Sequence, residues 1–187
     1  MMGGTAAPVR LAAGPRHVVV LLVAVLLVAT ACSARPRTTF PPLGSSPAPV
    51  GQATSATRGQ IIAALATAGL QAVDANRANR PPEGPLLAAA PRSILQATLP
   101  DDPGHGFIVI YALPSATAAA AAAEDHAAYI SSGIGRINYA IDSRFVLRVA
   151  GPTVVFFHWS PGAALDDRTR LIEDALGTVG TEVEIPR

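Results

Sequence analysis

The chain has 187 residues, half of them hydrophobic, with few aromatics and a single cysteine. All 14 basic residues are arginine, and from Cys32 onward 12 arginines stand against 13 acids, a balance of 12 − 13 = −1. A nearly neutral chain exerts no long-range pull on polyanions, so nucleic acid is excluded as the expected partner.

The first element is an apolar run, VVVLLVAVLLVATAC, ending on Cys32. Val18 to Ala31 is 14 residues. As a helix it would span about 21 Å, short of the roughly 30 Å hydrocarbon core. Arg10, Arg16 and His17 precede it, with no acid ahead of it. A positive flank, a short apolar core and small residues at the end make a secretory signal peptide. An uncleaved anchor or a buried cysteine is the other reading of these residues. Ala29-Thr30-Ala31-Cys32 resembles the lipobox of bacterial lipoproteins, although Ala29 stands where leucine is usual. The resemblance covers residues 1–32 only. It implies cleavage after Ala31, a diacylglyceryl thioether on Cys32, and a lipid-anchored position on the extracytoplasmic face of the cell membrane. Two or more acyl chains anchor stably where one does not, so no spanning helix is required. With Cys32 consumed by lipid, disulfides, thiol catalysis and cysteine metal sites are excluded.

Residues 32–56 read as the lipidated cysteine and a disordered tether. Positions 33–56 hold five prolines, no acid and no apolar period. A flexible chain of that length has an r.m.s. reach of roughly 25–30 Å.

The folded domain is expected over 57–187, enough for one core. ATRGQIIAALATAGL is predicted as a helix capped by Thr57, with Ile61, Ile62, Leu65 and Ala68 on one face and a stop at Gly69-Leu70. A short strand follows at 70–73, then a proline-rich loop over 75–85. SILQATLP and GFIVIYALP flank the turn DDPGHG and read as a hairpin. Ser115 is placed to cap the helix ATAAAAAAEDHAAYISS, which Gly133 stops. RFVLRVA and TVVFFHWS form a second hairpin across Gly151-Pro152. DDRTRLIEDAL is a helix starting at Asp166 with acids in its first turn, and TEVEIP an edge strand.

The order α-ββ-α-ββ-α-β predicts an α+β two-layer sandwich, a mostly antiparallel sheet with helices on one face. FIVIYALPSATAAAAAAEDHAAYI and VVFFHWSPGAALDDRTRLIEDALG share a course of strand, proline, small polar residue and helix. That echo reads as a weak duplication of a ββα unit, for which a ferredoxin-like plait is the nearest architecture. In the second hairpin a short loop sets Arg144 opposite Trp159, Val146 opposite Phe157 and Arg148 opposite Val155. Phe145, Leu147 and Val149 then share the other face with Val154, Phe156 and His158. The Arg144, Arg148, Phe157, Trp159 face is the candidate ligand surface, suited to an anionic or aromatic small ligand, or else a solvated face where arginine stems cover the rings. Phe107 to Leu113 is apolar on both faces, so that strand should be central and covered twice, by a second copy in a homodimer or by a loop over 75–92.

No catalytic constellation stands out. G-x-S-x-G and H-E-x-x-H are absent. His105 and His126 are not at metal spacing, and SGIGR follows a helix where a phosphate loop would precede one. DDPGHG lacks the alternating oxygen ligands of a calcium loop. No metal or cofactor is expected. The sequence thus reads as a membrane-tethered, non-catalytic module that binds a ligand or an envelope protein. The alternatives are an envelope hydrolase with a dispersed site near His158 and Ser160, and a self-associating spacer.

Overall fold

The computed structural model describes residues 51–186. The apolar run, Cys32 and most of the expected tether lie outside the described residues. The elements are α1 (Gln52–Thr67), β1 (Ala72–Asp74), α2 (Pro85–Ala89), β2 (Arg92–Ala97), β3 (Phe107–Ala112), α3 (Ala116–Ser131), α4 (Gly133–Arg136), β4 (Arg144–Ala150), β5 (Thr153–Trp159), α5 (Thr169–Leu176) and β6 (Thr181–Glu182). The strands form one six-stranded sheet in the order β1-β2-β3-β5-β4-β6, every pair antiparallel. The fold is α+β, as the sequence predicts. Among the described residues no helix is long and apolar enough to cross a membrane.

α1 begins at Gln52, inside the segment read as tether, with Gly51 at its N-cap. Thr57 is not a cap. It sits on the buried stripe Thr54, Thr57, Ile61, Leu65, and its hydroxyl meets that of Thr153 at 2.8 Å. The predicted stop is present: Gly69 has φ +76°, and the Leu70 N–H reaches back to the Leu65 carbonyl at 2.8 Å. That left-handed turn satisfies a carbonyl the helix end would otherwise orphan. In α3 a run of alanines has high helix propensity, and the Ser115 hydroxyl accepts from the Ala118 N–H at 3.1 Å. The chain then turns so tightly that a Cβ on Gly135 would lie 1.8 Å from the Tyr129 carbonyl oxygen, which requires glycine there.

The β4–β5 register is the one predicted, with Arg144 opposite Trp159, Val146 opposite Phe157 and Arg148 opposite Val155. The layering differs. α1 and α5 pack Ile61, Leu65, Ile172 and Leu176 on Ile108, Ile110, Val155 and Phe157. α3 packs Ala119, Ala123, Ala127 and Ile130 on Val109, Tyr111, Val154 and Phe156. Helices therefore cover both faces, and β3 is central and doubly covered within one chain, without a second copy.

Strand order explains the correction. β3-α3-β4 and β5-α5-β6 are both crossovers over one intervening strand, and both move the same way across the sheet. Their starting strands run in opposite directions. Right-handed crossovers of that kind place their helices on opposite faces. A ferredoxin-like plait would send the last strand back beside β3, bringing both helices to one face. Here β2 already occupies that edge of β3, so the echoed ββα segments are not a structural repeat with equivalent helix positions.

Candidate functional site

At the end of the sheet where β3 and β4 begin and β5 ends, loops enclose a cleft of about 460 Å³. That volume is in the range of small-molecule sites. Arg77 and Asn79 come from the loop after β1, Asp102 and His105 from the β2–β3 turn, Asn138, Tyr139 and Ser143 from the segment after α4, and His158, Trp159 and Ser160 from the end of β5. Alternation along β5 sends His158 toward the α3 side and Trp159 toward the α1/α5 side, so the cleft straddles both cores at their common end.

Asp102 is buried although charged. Its Oδ1 meets His105 Nδ1 at 2.5 Å and its Oδ2 accepts from the Leu165 N–H at 3.3 Å. His105 itself is largely exposed. A carboxylate on Nδ1 fixes the ring and leaves Nε2 as the nitrogen free for proton transfer or ligand binding. Arg77 lies over the Phe107 ring, its Cζ 4.8 Å from the centroid, and donates to the Gly104 carbonyl. The cation is thus held at the cleft by a ring face and a backbone oxygen.

His158 is set edge-on to Tyr139 at 5.1 Å and against Phe156 at 5.7 Å. Burial among these rings pushes its pKa below the ordinary imidazole value, and the nearby charge of His105 adds to that. The Tyr139 hydroxyl donates to the Pro82 carbonyl, and burial raises its pKa. Ser160 is engaged elsewhere: its Oγ donates to Asp142 Oδ1 at 2.6 Å, while the Gly162 N–H donates to Oδ2 at 2.6 Å. Those two bonds, the Ser160 one foremost, hold the Asp142 pKa below the usual carboxylate value. A hydroxyl tied to a carboxylate is not paired with a base, so the expected His158–Ser160 nucleophile pair is not assembled.

The four residues of the predicted ligand face separate. Phe157 is 1% exposed beneath α1 and α5. Arg148, 9% exposed, donates from Nε to the Val179 carbonyl at 2.6 Å and from NH2 to the Gly180 carbonyl at 3.0 Å. It ties down the turn that leads into β6 and is not offered to a ligand. Trp159 and Arg144 sit at the rim; the Trp159 indole donates to Glu173 at 2.8 Å and Arg144 lies 5.9 Å over the same ring. Of the four, Trp159 lines the cleft. The face predicted to be open is the underside of a helical layer, because α5 crosses to that side.

Sequence reasoning missed Arg77, Tyr139 and the Asp102–His105 pair. The acid in DDPGHG stands three residues before the histidine, a spacing at which a turn can join them, yet the motif also reads as a plain hairpin turn. Arg77 and Tyr139 carry no local signal. Among the described residues no three His, Cys, Asp or Glu side chains group as a metal site. Comparison of the chain with protein-family models, with curated proteins and with solved structures gives no match in any of the three.

Proposed function

We propose that the protein is a membrane-tethered extracytoplasmic lipoprotein whose folded domain captures a small ligand carrying an anionic group and a planar ring. One observation carries this reading: the cleft is lined by ring surfaces (Phe107, Tyr139, Trp159) together with one cationic side chain, Arg77, and the imidazole of His105. Rings supply stacking area at low entropic cost, and the Arg77 guanidinium selects negative charge through charge-assisted hydrogen bonds. The lipobox-like ATAC sequence supports the tether.

A hydrolase-like reading has one favouring observation, the Asp102–His105 pair, which resembles a general base held by an orienting carboxylate. It would act on a water molecule, since Ser160 is bound to Asp142.

One experiment separates the two. Trp159 is the sole tryptophan, so its fluorescence reports the cleft directly. Titration with aromatic carboxylates should give a saturable change, weakened about tenfold by Arg77→Ala, a loss of roughly 1.4 kcal/mol. No response across such compounds would sink the binding reading. Turnover of activated esters lost in His105→Ala would establish the hydrolase instead.

A further inference from the structure

The most exposed large aliphatic side chains are three isoleucines within residues 134–141, with Leu165 on the neighbouring segment. Ile134, Ile137, Ile141 and Leu165 are 75, 82, 92 and 75% exposed. The other large aliphatics that reach the surface, Ile62, Val73 and Leu86, are 39, 54 and 50% exposed and lie apart on α1, β1 and α2. The first four stand on two segments, 133–143 and 160–168, which together wall the cleft.

Hydrogen bonds hold these segments in place. Asp142 joins one to the other through Ser160 and Gly162. The Leu165 N–H is tied to Asp102. Arg136 donates to the Ile141 carbonyl at 2.8 Å and Asn138 to the Ile134 carbonyl at 2.9 Å. The isoleucines are therefore presented by a bonded scaffold. The two segments carry Arg136 and Arg168 against Asp142, Asp166 and Asp167; Asp142 is bound to Ser160 and Gly162 and Asp166 to Arg168, while Arg136 stands among the isoleucines of GIGRINYAI. Clustered aliphatics on a water-facing surface mark an interaction site, and aliphatics beside a cation suit the boundary between headgroups and acyl chains.

We propose that this rim docks on the lipid bilayer that holds the Cys32 anchor, so that the cleft opens at the headgroup level and draws an amphiphilic anion from the interface. The inference rests on the lipoprotein reading. Cys32 and Gly51 are 51 − 32 = 19 residues apart. A flexible chain of that length would have an r.m.s. reach of roughly 22–26 Å and, fully extended, a span of roughly 63–68 Å. The short average reach keeps the domain at the surface at high effective concentration. The long limit lets any face turn toward the membrane, so modest burial of four aliphatic side chains selects the orientation.

The test uses the lipidated full chain in vesicles of phosphatidylethanolamine and phosphatidylglycerol. With Cys32 carrying lipid, Ile137→Cys and Val73→Cys each supply a lone thiol for a nitroxide label. The label at 137 should show a several-fold higher ratio of oxygen to aqueous nickel accessibility than the label at 73. Adding Ile134→Ser and Ile141→Ser should bring the 137 ratio down to the value at 73. All substituted positions are exposed, so the fold is not at risk. A floating chain with equal ratios at 137 and 73 overturns the docking and leaves the tether standing. A 137 label that becomes shielded only when envelope protein is added overturns it in favour of a protein partner. A chain that does not float with the vesicles removes the tether, and both readings fall together.

Discussion

The two faces of the sheet are built on different principles. Under α1 and α5 the core is mostly aliphatic, with Phe157 its one fully buried ring among the described residues, and the buried cation Arg148 is supplied with two backbone carbonyls and Glu182. Under α3 the helix contributes mainly methyl groups, so it can approach closely, and the space is filled by rings from the sheet and its loops. There the polar groups are less well served. His126 is fully buried, its Nδ1 accepts from the Gly84 N–H at 3.2 Å, and its Nε2 has no partner among the described residues; neither has Asp125 Oδ2. Burial pushes the His126 pKa down to about 4, with the charge of His158 a lesser cause. The α3 face is where a fully buried imidazole makes stability depend on pH.

The largest effect should come from breaking the ring packing. Phe156 is fully buried, edge-on to His126 at 4.5 Å and stacked on Phe145 at 6.4 Å. Phe156→Ala should cost about 3–5 kcal/mol in denaturant unfolding, because the short alanine side chains of α3 cannot move in to fill the cavity. Next comes Arg148→Met. It keeps the apolar stem and strips charge-assisted bonds worth about 1.5–3 kcal/mol each before compensation by water. A net loss of about 2–3 kcal/mol is expected, equal at pH 5 and pH 8, with the β6 end fraying first in hydrogen exchange.

The third prediction concerns acid. At pH 8 His126 is neutral in both folded and unfolded chains and contributes no pH dependence. As pH falls below the unfolded value of 6.5 the unfolded chain binds a proton that the folded chain refuses until about pH 4. Stability therefore declines on acidification, by about 2 kcal/mol between pH 6.5 and 5. His126→Leu should flatten that slope while leaving the Arg148→Met loss unchanged. An unaltered slope in His126→Leu would show that the two faces do not differ in this way.

The β4–β5 pairing was legible in the sequence because Gly151-Pro152 fixes a short turn and the side chains alternate strictly on either side of it. Gly69-Leu70 and Ser115 were legible for the same reason, since a cap depends on a few adjacent residues. Which face the helices cover was not. That depends on β6 taking the free edge of β4 when β2 has taken that of β3, a competition between segments whose ends, Ala97 and Thr181, are 181 − 97 = 84 residues apart. The cleft was less legible still: Arg77, His105 and Tyr139 belong to three different connections and Trp159 to the end of β5, and only the closed sheet brings them to one end. The N-cap expected at Thr57 failed because its hydroxyl found Thr153 in the core.

The edges of the sheet carry a consequence for self-association. β1 has three residues and β6 two, so each outer strand offers very little unpaired backbone ladder. Copies held together in the plane of a membrane would collide sideways far more often than molecules in solution. Edges this short give such collisions almost nothing to zip along. Contact between such neighbours would be left to side chains, which can part again.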